Sequence, residues 1–125
     1  MDEFSTLQQV AARARRNLTR NVWDYLMGGS ESETTLRRNR QGLDSLALRP
    51  RILRNVETVD TGTTFLGHRI RLPVMLAPIG SLQLVDSGGA VTAAEVAAAY
   101  QTIYFCSSVT SPGRDEVGAA TNAPK

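Results

Sequence analysis

Hydrophobic residues near the start of the chain recur at steps of three and four positions. They place one apolar stripe on a single helical face: Leu7, Val10, Ala11, Ala14, Leu18, Val22 and Tyr25. Gly28 and Gly29 follow this stripe, and glycine is typical of a helix C-terminus. The pattern therefore predicts one amphipathic helix that ends at these two glycines.

A second helix is predicted directly after the glycines. Ser30 and Glu33 have the spacing of a capping box, in which the serine hydroxyl and the glutamate carboxylate each accept a hydrogen bond from a free backbone N–H. We expect this helix to begin at Glu31, to carry Leu36 on its apolar side and to end near Gly42.

The middle of the chain changes from helical to extended patterning. Residues 46–53 are expected to be extended around Pro50, because proline disfavours helix in the residue before it. Two short β-type runs, 63–66 and 69–72, flank Gly67 and His68, which predicts a hairpin with these two residues at its tip. His68 is the only histidine and could act as a general base, but a hairpin tip favours an exposed turn residue.

A continuous apolar run begins at Leu72 and stops at Pro78, and Gly80 follows two residues later. Such a run suits a strand buried on both faces of a parallel sheet, and proline cannot donate to a sheet ladder. Gly80 has no β-carbon, so a flat ligand could lie close to the backbone there. The alternative is a buried strand that ends in an ordinary turn.

The second half of the chain alternates strand and helix patterns. The alanine-rich residues 88–100 predict a helix, residues 103–106 predict a second buried strand, and Asp115 begins a further helical pattern. Alternating strands and helices are typical of a parallel α/β fold.

Charge is distributed unevenly, although the net charge is only +2. Residues 1–54 carry ten Arg against six acidic residues, a balance of +4, whereas residues 55–125 carry three Arg and one Lys against six, a balance of −2. Four arginines of the first predicted helix lie mostly off its apolar stripe: Arg13, Arg15, Arg16 and Arg20. No aromatic or glycine-rich pattern is interleaved with them, which favours a solvated helix face over a nucleic-acid site. We therefore expect no nucleic-acid partner.

Candidate chemistry is scarce in the sequence. Cys106 is the only cysteine, so no internal disulfide can form, which fits a reducing compartment and a cytoplasmic location. Its position inside an apolar run favours a structural thiol over a reactive one. We find no signal-peptide pattern and no apolar run near the roughly 20 residues that span a bilayer. Metal-ligand clusters, phosphate-binding loops and a Ser/His/Asp set are also absent from the sequence.

Several short stretches resemble one family in their order and spacing. They are residues 22–25 (VWDY), 28–29 (GG), 33–36 (ETTL), Asn39, 49–53 (RPRIL), 66–67 (LG), 72–74 (LPV), 77–80 (APIG) and 107–108 (SS). Together they resemble the N-terminal part of the FMN-dependent 2-hydroxy acid oxidases and dehydrogenases, which include glycolate oxidase, lactate oxidase, lactate 2-monooxygenase and mandelate dehydrogenase. The resemblance covers nearly the whole chain.

This resemblance implies an α/β fold, the N-terminal part of a (β/α)8 TIM barrel with preceding helices and a small β-hairpin. It divides the chain into a helical extension, 1–60, and a hairpin with the first two barrel strands, 61–125. FMN is the implied cofactor, at the C-terminal mouth of the barrel. Such a barrel typically needs about 250 residues, so the remainder is expected from a C-terminal part or from a complementing chain.

The resemblance also assigns roles to individual residues. The loop after the first strand, whose backbone lies against the flavin ring, and a flavin contact after the second strand correspond to Ala77, Pro78, Ile79, Gly80 and Ser107. Tyr25 corresponds to the tyrosine whose phenol binds the substrate carboxylate, a role that suits a neutral donor. Without the resemblance, Tyr25 would be a helix tyrosine packed in the core. The catalytic base is expected beyond Lys125, and no metal ligands are assigned.

Several positions depart from the family pattern, among them Val109, Gln101 and Glu95, which stands where the family commonly carries arginine. Val109 stands where glycolate oxidase carries a bulky aromatic residue, which predicts room for a larger substrate. Gln101 occupies a position that is commonly glycine, which predicts weaker local packing.

The leading hypothesis is the N-terminal segment of an enzyme that oxidises a small 2-hydroxy acid to a 2-oxo acid and forms a homo-oligomer when complete. The competing hypothesis is a non-catalytic binding or assembly module derived from the same family. A basic nucleic-acid-binding helix module is a third, weaker alternative.

Overall fold

The computed structural model describes residues 4–125. Its contacts divide the chain into two compact units, with the boundary in the sequence between Arg54 and Asn55. The family resemblance implied a division after residue 60. The first unit contains α1 (Leu7–Asn17), α2 (Arg20–Met27) and α3 (Thr34–Asp44). None of these three helices carries a buried residue in the described part of the chain.

The prediction of a single N-terminal helix is wrong, because the chain breaks between α1 and α2. Leu18 adopts extended backbone angles, and Thr19 caps α2 by accepting a hydrogen bond from the Val22 N–H at 3.4 Å. A threonine hydroxyl that satisfies a free N–H favours a new helix start over continuation of the old helix. The predicted end at Gly28 is confirmed, since α2 ends at Met27.

The capping-box prediction is also wrong in its details. The helix starts at Thr34 instead of Glu31, because Glu33 has a left-handed backbone with φ of +56°. The Glu33 carboxylate accepts from the Gly29 N–H at 3.1 Å, so it stabilises the preceding turn instead of the first helical turn. Ser30 contributes its carbonyl oxygen, which accepts from the Glu33 N–H.

The predicted hairpin is present in the second unit, with its tip one residue earlier than expected. Strands β1 (Thr63–Phe65) and β2 (His68–Ile70) pair antiparallel, and Phe65 lies opposite His68. Leu66 and Gly67 form the turn with φ of +49° and +81°. A two-residue hairpin turn with positive φ at both central positions matches the twist of the flanking strands. His68 is therefore an exposed strand residue.

The predicted alternation of strands and helices appears as one parallel contact with helices after each segment. The Leu76 N–H donates to the Ile103 carbonyl, and the Phe105 N–H donates to the Leu76 carbonyl, each at 3.0 Å. This bridge is shorter than the two predicted strands, and Val74 is 57% exposed although burial on both faces was expected.

Helix α4 (Gly89–Ala99) connects the two parallel segments, and α5 (Arg114–Ala120) follows the second. The core of the unit lies between the parallel pair and these helices and consists of Ala90, Ala94, Ala97, Tyr104 and Val117. Small alanines on α4 let the helix approach the parallel segments closely. Across residues 4–125, no helix has the length and apolar character needed to cross a membrane.

Candidate functional site

Two loops meet beyond the carboxyl ends of the parallel segments. We call residues 77–88 the first loop and residues 107–113 the second loop. The Ser81 N–H of the first loop donates to the Val109 carbonyl of the second at 3.2 Å. In parallel α/β folds, ligands bind at this end of the strands, so the two loops form the candidate site.

Gly80 lies directly against the second loop. A β-carbon on Gly80 would lie 2.8 Å from the Val109 carbonyl oxygen and 3.7 Å from the Ser107 hydroxyl oxygen. The absence of a side chain is therefore required by the packing of the second loop, independently of any ligand. Contact with the second loop therefore explains why glycine occupies position 80, an explanation that the sequence pattern had not indicated.

Ser107 brings a buried hydroxyl to the contact between the loops. It is 9% exposed, and its oxygen accepts a hydrogen bond from the Val109 N–H at 3.1 Å. A hydroxyl can accept and donate at once, and no residue in 4–125 accepts the Ser107 proton. Ser107 therefore keeps a hydrogen-bond donor available beside Gly80.

Backbone donors on the first loop add to this hydroxyl. The N–H groups of Ile79 and Gly80 have no acceptor among the described residues. Ala77, Pro78 and Ile79 are exposed, so this part of the loop is open to a ligand. Fixed donors at this position can stabilise negative charge on a bound group.

Asp86 holds the far end of the first loop in shape. Its carboxylate accepts from the Thr92 hydroxyl at 2.8 Å and from the N–H groups of Gly88 and Gly89 at 3.0 and 3.2 Å. The Thr92 and Gly88 hydrogen bonds lower the pKa of Asp86. Gly89 has φ of +51°, and a β-carbon there would collide with the Ser111 carbonyl of the second loop. The first residue of α4, directly after the first loop, is thus also packed against the second loop.

The donor set fits the flavin that the sequence resemblance implies. A flavin ring presents carbonyl oxygens and the unprotonated nitrogens N1 and N5, which accept hydrogen bonds from N–H and O–H donors, and protein donors near the ring tune its electronics. Such donors are the unpaired N–H groups of the first loop and the Ser107 hydroxyl. The carboxylate nearest in sequence, Asp86, is committed to its own hydrogen bonds.

The predicted site residues therefore fall in both units. Ala77, Pro78, Ile79, Gly80 and Ser107 all belong to the two loops of the second unit. Tyr25 belongs to α2 of the first unit and is 67% exposed, so the alternative of a tyrosine buried in the core is wrong. Its hydroxyl has no hydrogen-bond partner within residues 4–125.

Sequence reasoning missed Asp86 and the pairing of Ser81 with Val109. The aspartate had a local signal, since Asp86 precedes Ser87, Gly88 and Gly89, and aspartate often bonds the N–H two residues on. The Ser81–Val109 contact had none, because it joins two loops distant in the sequence.

A concavity in the first unit lacks chemistry that marks a site. It measures about 520 Å³ and is lined by residues 29–36 and Asn39, most of them exposed and polar. No group of three His, Cys, Asp or Glu side chains in the described residues could hold a metal ion. The two loops therefore remain the stronger candidate.

Comparison with known proteins supports the family resemblance. The sequence model of the FMN-dependent dehydrogenases matches residues 14–125. The chain is 42% identical over 111 residues to an L-lactate dehydrogenase of Caulobacter vibrioides, covering 89% of this chain and 29% of that protein. It is 34% identical over 119 residues to glycolate oxidase 1 of Zea mays, covering 95% of this chain and 32% of that protein.

A crystal structure of mandelate oxidase is also similar, with a TM-score of 0.90 and 29% sequence identity over 98% of this chain and 36% of that one. Another mandelate oxidase structure, with (S)-4-hydroxymandelic acid, has the same TM-score and identity over 97% of this chain. The chain spans about a third of the length of these relatives.

Proposed function

Since the chain belongs to the FMN-dependent dehydrogenase family, we propose that it is the N-terminal part of a flavoenzyme that oxidises a small 2-hydroxy acid to a 2-oxo acid. The observation that carries this proposal is the contact between the two loops, where free N–H donors of the first loop lie beside the buried hydroxyl of Ser107.

The parallel pair is proposed as the first two strands of a (β/α)8 barrel. The helix α4 between Leu76 and Tyr104 and the position of the loops beyond the strand ends both suit this architecture. The remaining strands would come from a C-terminal part or a complementing chain. The complete protein is proposed to be a cytoplasmic homo-oligomer.

The roles of the loop residues follow from their available donors. The N–H groups of Ile79 and Gly80 would hold the flavin edge, and the Ser107 hydroxyl would donate a further hydrogen bond. Ala77 and Pro78 would border the ring. Bound FMN supplies the acceptor for the two electrons and the α-hydrogen that leave the substrate when its alcohol becomes a ketone. The loops would exclude water and fix the orientation of the ring.

Tyr25 is proposed to bind the substrate carboxylate. Its phenol is a neutral donor with no partner in the described residues, so it is free to donate to an anion. We propose that the residues described here bind and orient the substrate, and that the group accepting its proton belongs to the part of the relatives' length that this chain does not span.

The substrate is proposed to carry a side chain larger than that of glycolate. Val109 is 69% exposed at the loop contact and offers only a small side chain. One similar structure is that of a mandelate oxidase with the aromatic (S)-4-hydroxymandelic acid, and one similar protein is an L-lactate dehydrogenase. We therefore propose lactate or mandelate as the first substrates to test.

The test uses the native protein with whatever chain completes it. We expect bound FMN and anaerobic loss of flavin absorbance on mixing with L-lactate or (S)-mandelate. Ser107→Ala should raise the FMN dissociation constant by about two- to tenfold, the usual range for one neutral hydrogen bond. Ser108→Ala is the matched control, since Ser108 is exposed in the same loop.

Three outcomes would contradict parts of the proposal. Native protein without flavin affinity would contradict the whole assignment. Flavin that binds but is not reduced by any 2-hydroxy acid would favour the non-catalytic assembly module. Equal effects of the Ser107 and Ser108 substitutions would remove Ser107 from the flavin site.

A further inference from the structure

Two buried hydroxyl groups of the second unit have no hydrogen-bond partner within residues 4–125. Tyr104 is 1% exposed in the core, and its hydroxyl is unpaired. The hydroxyl of Thr110 in the second loop is likewise buried and unpaired. Buried polar groups in folded proteins are nearly always paired, so two such groups in one small unit require an explanation.

The two hydroxyls are close to each other. Burial raises the pKa of Tyr104, and the adjacent Cys106 thiol raises it further, whereas the Thr110 hydroxyl lies near enough to lower it. Each group can donate and accept. One hydrogen bond between the two hydroxyls would therefore satisfy both groups.

We propose that Tyr104 and Thr110 pair through their hydroxyls and act as positioning residues for the second loop. Tyr104 lies on the parallel segment before the loop and is fixed in the core between α4 and α5. Thr110 lies within the loop itself. The pair connects the second loop to the core, because Thr110 in the loop follows the core residue Tyr104 by six positions.

The position of Thr110 next to Val109 explains which part of the second loop the proposed hydrogen bond would hold in place. Its neighbour Val109 presents the carbonyl that accepts from the Ser81 N–H and that stands against Gly80. The Val109 N–H donates to the Ser107 hydroxyl oxygen. Fixing Thr110 therefore fixes both peptide groups of Val109, and with them the Ser107 hydroxyl and the contact with the first loop.

A double-mutant cycle tests the pairing itself and needs no flavin. Tyr104→Phe and Thr110→Val each remove one hydroxyl and keep the packing volume. We expect each substitution to lower the urea midpoint of the native protein. Once one hydroxyl is gone, removing the second should cost nothing more, so the double variant should be as stable as the less stable single variant. Additive losses would overturn the pairing. Tyr100→Phe is the matched control, because Tyr100 is 60% exposed and should leave the midpoint unchanged.

Amide hydrogen exchange tests the positioning role. Loss of either hydroxyl should speed exchange of the Ser81 N–H by about tenfold, as expected for the loss of roughly one hydrogen bond, while the amides in the middle of α4 stay protected. Thr110→Ser retains the hydroxyl and should restore slow exchange. Unchanged Ser81 exchange in both Tyr104→Phe and Thr110→Val would show that the pair does not position the loop.

The consequence for the flavin rests on the proposed function and is measured separately. In FMN-loaded protein, both single variants should shift the visible absorbance maximum of the flavin, whereas Tyr100→Phe should not. An unshifted spectrum with altered Ser81 exchange would show that the second loop does not contact the flavin, which counts against the proposed function. If the stability losses of Tyr104→Phe and Thr110→Val add, while the protein still binds FMN that a 2-hydroxy acid reduces, only the pairing is overturned and the proposed function stands.

Discussion

The α-carbon of Gly80 faces the Val109 carbonyl so closely that a β-carbon on Gly80 would lie 2.8 Å from the Val109 oxygen. Real β-carbons do not approach a backbone oxygen to this distance, so one loop would have to move. The glycine that first suggested a flat ligand is thus already needed for contact between two loops of the protein.

Gly80→Ala should therefore destabilise the protein even when no flavin is present. We expect a loss of about 1–3 kcal/mol in the free energy of unfolding, the usual cost of an overpacked contact. The measurement is thermal or urea unfolding of FMN-free protein. Gly118→Ala is the control, because no atom lies within 4 Å of the added methyl group, and alanine is favoured in a helix by about 0.5–1 kcal/mol. Equal stability of the two variants would contradict the loop contact.

Tyr25→Phe should reduce catalysis without reducing flavin content or stability. The substitution removes one hydrogen bond to a charged carboxylate, worth roughly 1.5–3 kcal/mol, so kcat/KM should fall by about tenfold or more. Because Tyr25 is 67% exposed with no partner in the described residues, the unfolding midpoint should not change. Steady-state kinetics and flavin absorbance check this, with Tyr100→Phe as the control. Unaltered kinetics would reject the assignment.

Val109→Trp should narrow the substrate range. The indole ring is larger than the valine side chain and would occupy space at the contact between the loops, where Val109 is 69% exposed. We expect kcat/KM for mandelate to fall relative to that for glycolate by about tenfold or more, since a steric mismatch in a pocket costs on the order of 1–3 kcal/mol. Val109→Ile is the conservative control. If the ratio of kcat/KM for mandelate to that for glycolate is the same in the wild type, Val109→Trp and Val109→Ile, Val109 lies outside the substrate pocket.

Gln101→Gly should stabilise the protein. Gln101 follows the end of α4 with φ of +54°, its N–H donates to the Ala98 carbonyl, and the Thr102 N–H donates to the Ala97 carbonyl. This is the Schellman arrangement, in which glycine is preferred at the left-handed position. We expect a gain of about 0.5–1 kcal/mol in the free energy of unfolding. Gln101→Ala, which keeps the β-carbon, should give no such gain, and a gain of equal size would contradict this explanation.

Asp86 should make the stability of the second unit depend on acid pH. Its pKa is lowered in the folded protein by the Thr92 hydroxyl and the Gly88 N–H, so the folded state favours the carboxylate. The stabilisation is therefore present above the ordinary aspartate pKa of about 4 and is lost as the pH falls through the lowered folded value.

Asp86→Asn should flatten this pH dependence. Unfolding midpoints measured from pH 6 downward should decrease less steeply below about pH 4 in the variant than in the wild type. Part of the slope should remain, because the Gly62 N–H and Arg69 also lower the pKa of Asp60. Glu95→Gln, an exposed position on α4, serves as the control. Identical slopes in wild type and Asp86→Asn would reject the role of this carboxylate.

Features with a short-range cause were predicted from the sequence. The hairpin follows from two β-type runs around a glycine, and α4 follows from alanine-rich residues without proline. The departure at Gln101 also has a local explanation in its left-handed backbone. The errors at Thr19 and Glu33 arose where one polar side chain had two possible backbone partners, so that sequence spacing alone did not choose between them.

The amino-acid sequence by itself determined the alternation of strand and helix, the family and the candidate loop residues, because periodicity and motif order are properties of neighbouring positions. The tertiary structure decided why Gly80 has no side chain, which group Ser107 binds, and that the hydroxyls of Tyr104 and Thr110 are both buried. Each of these depends on atoms that approach only after two separate segments pair in parallel. Such contacts depend on where the folded backbone places residues distant in sequence, and no local pattern along the chain encodes that distance.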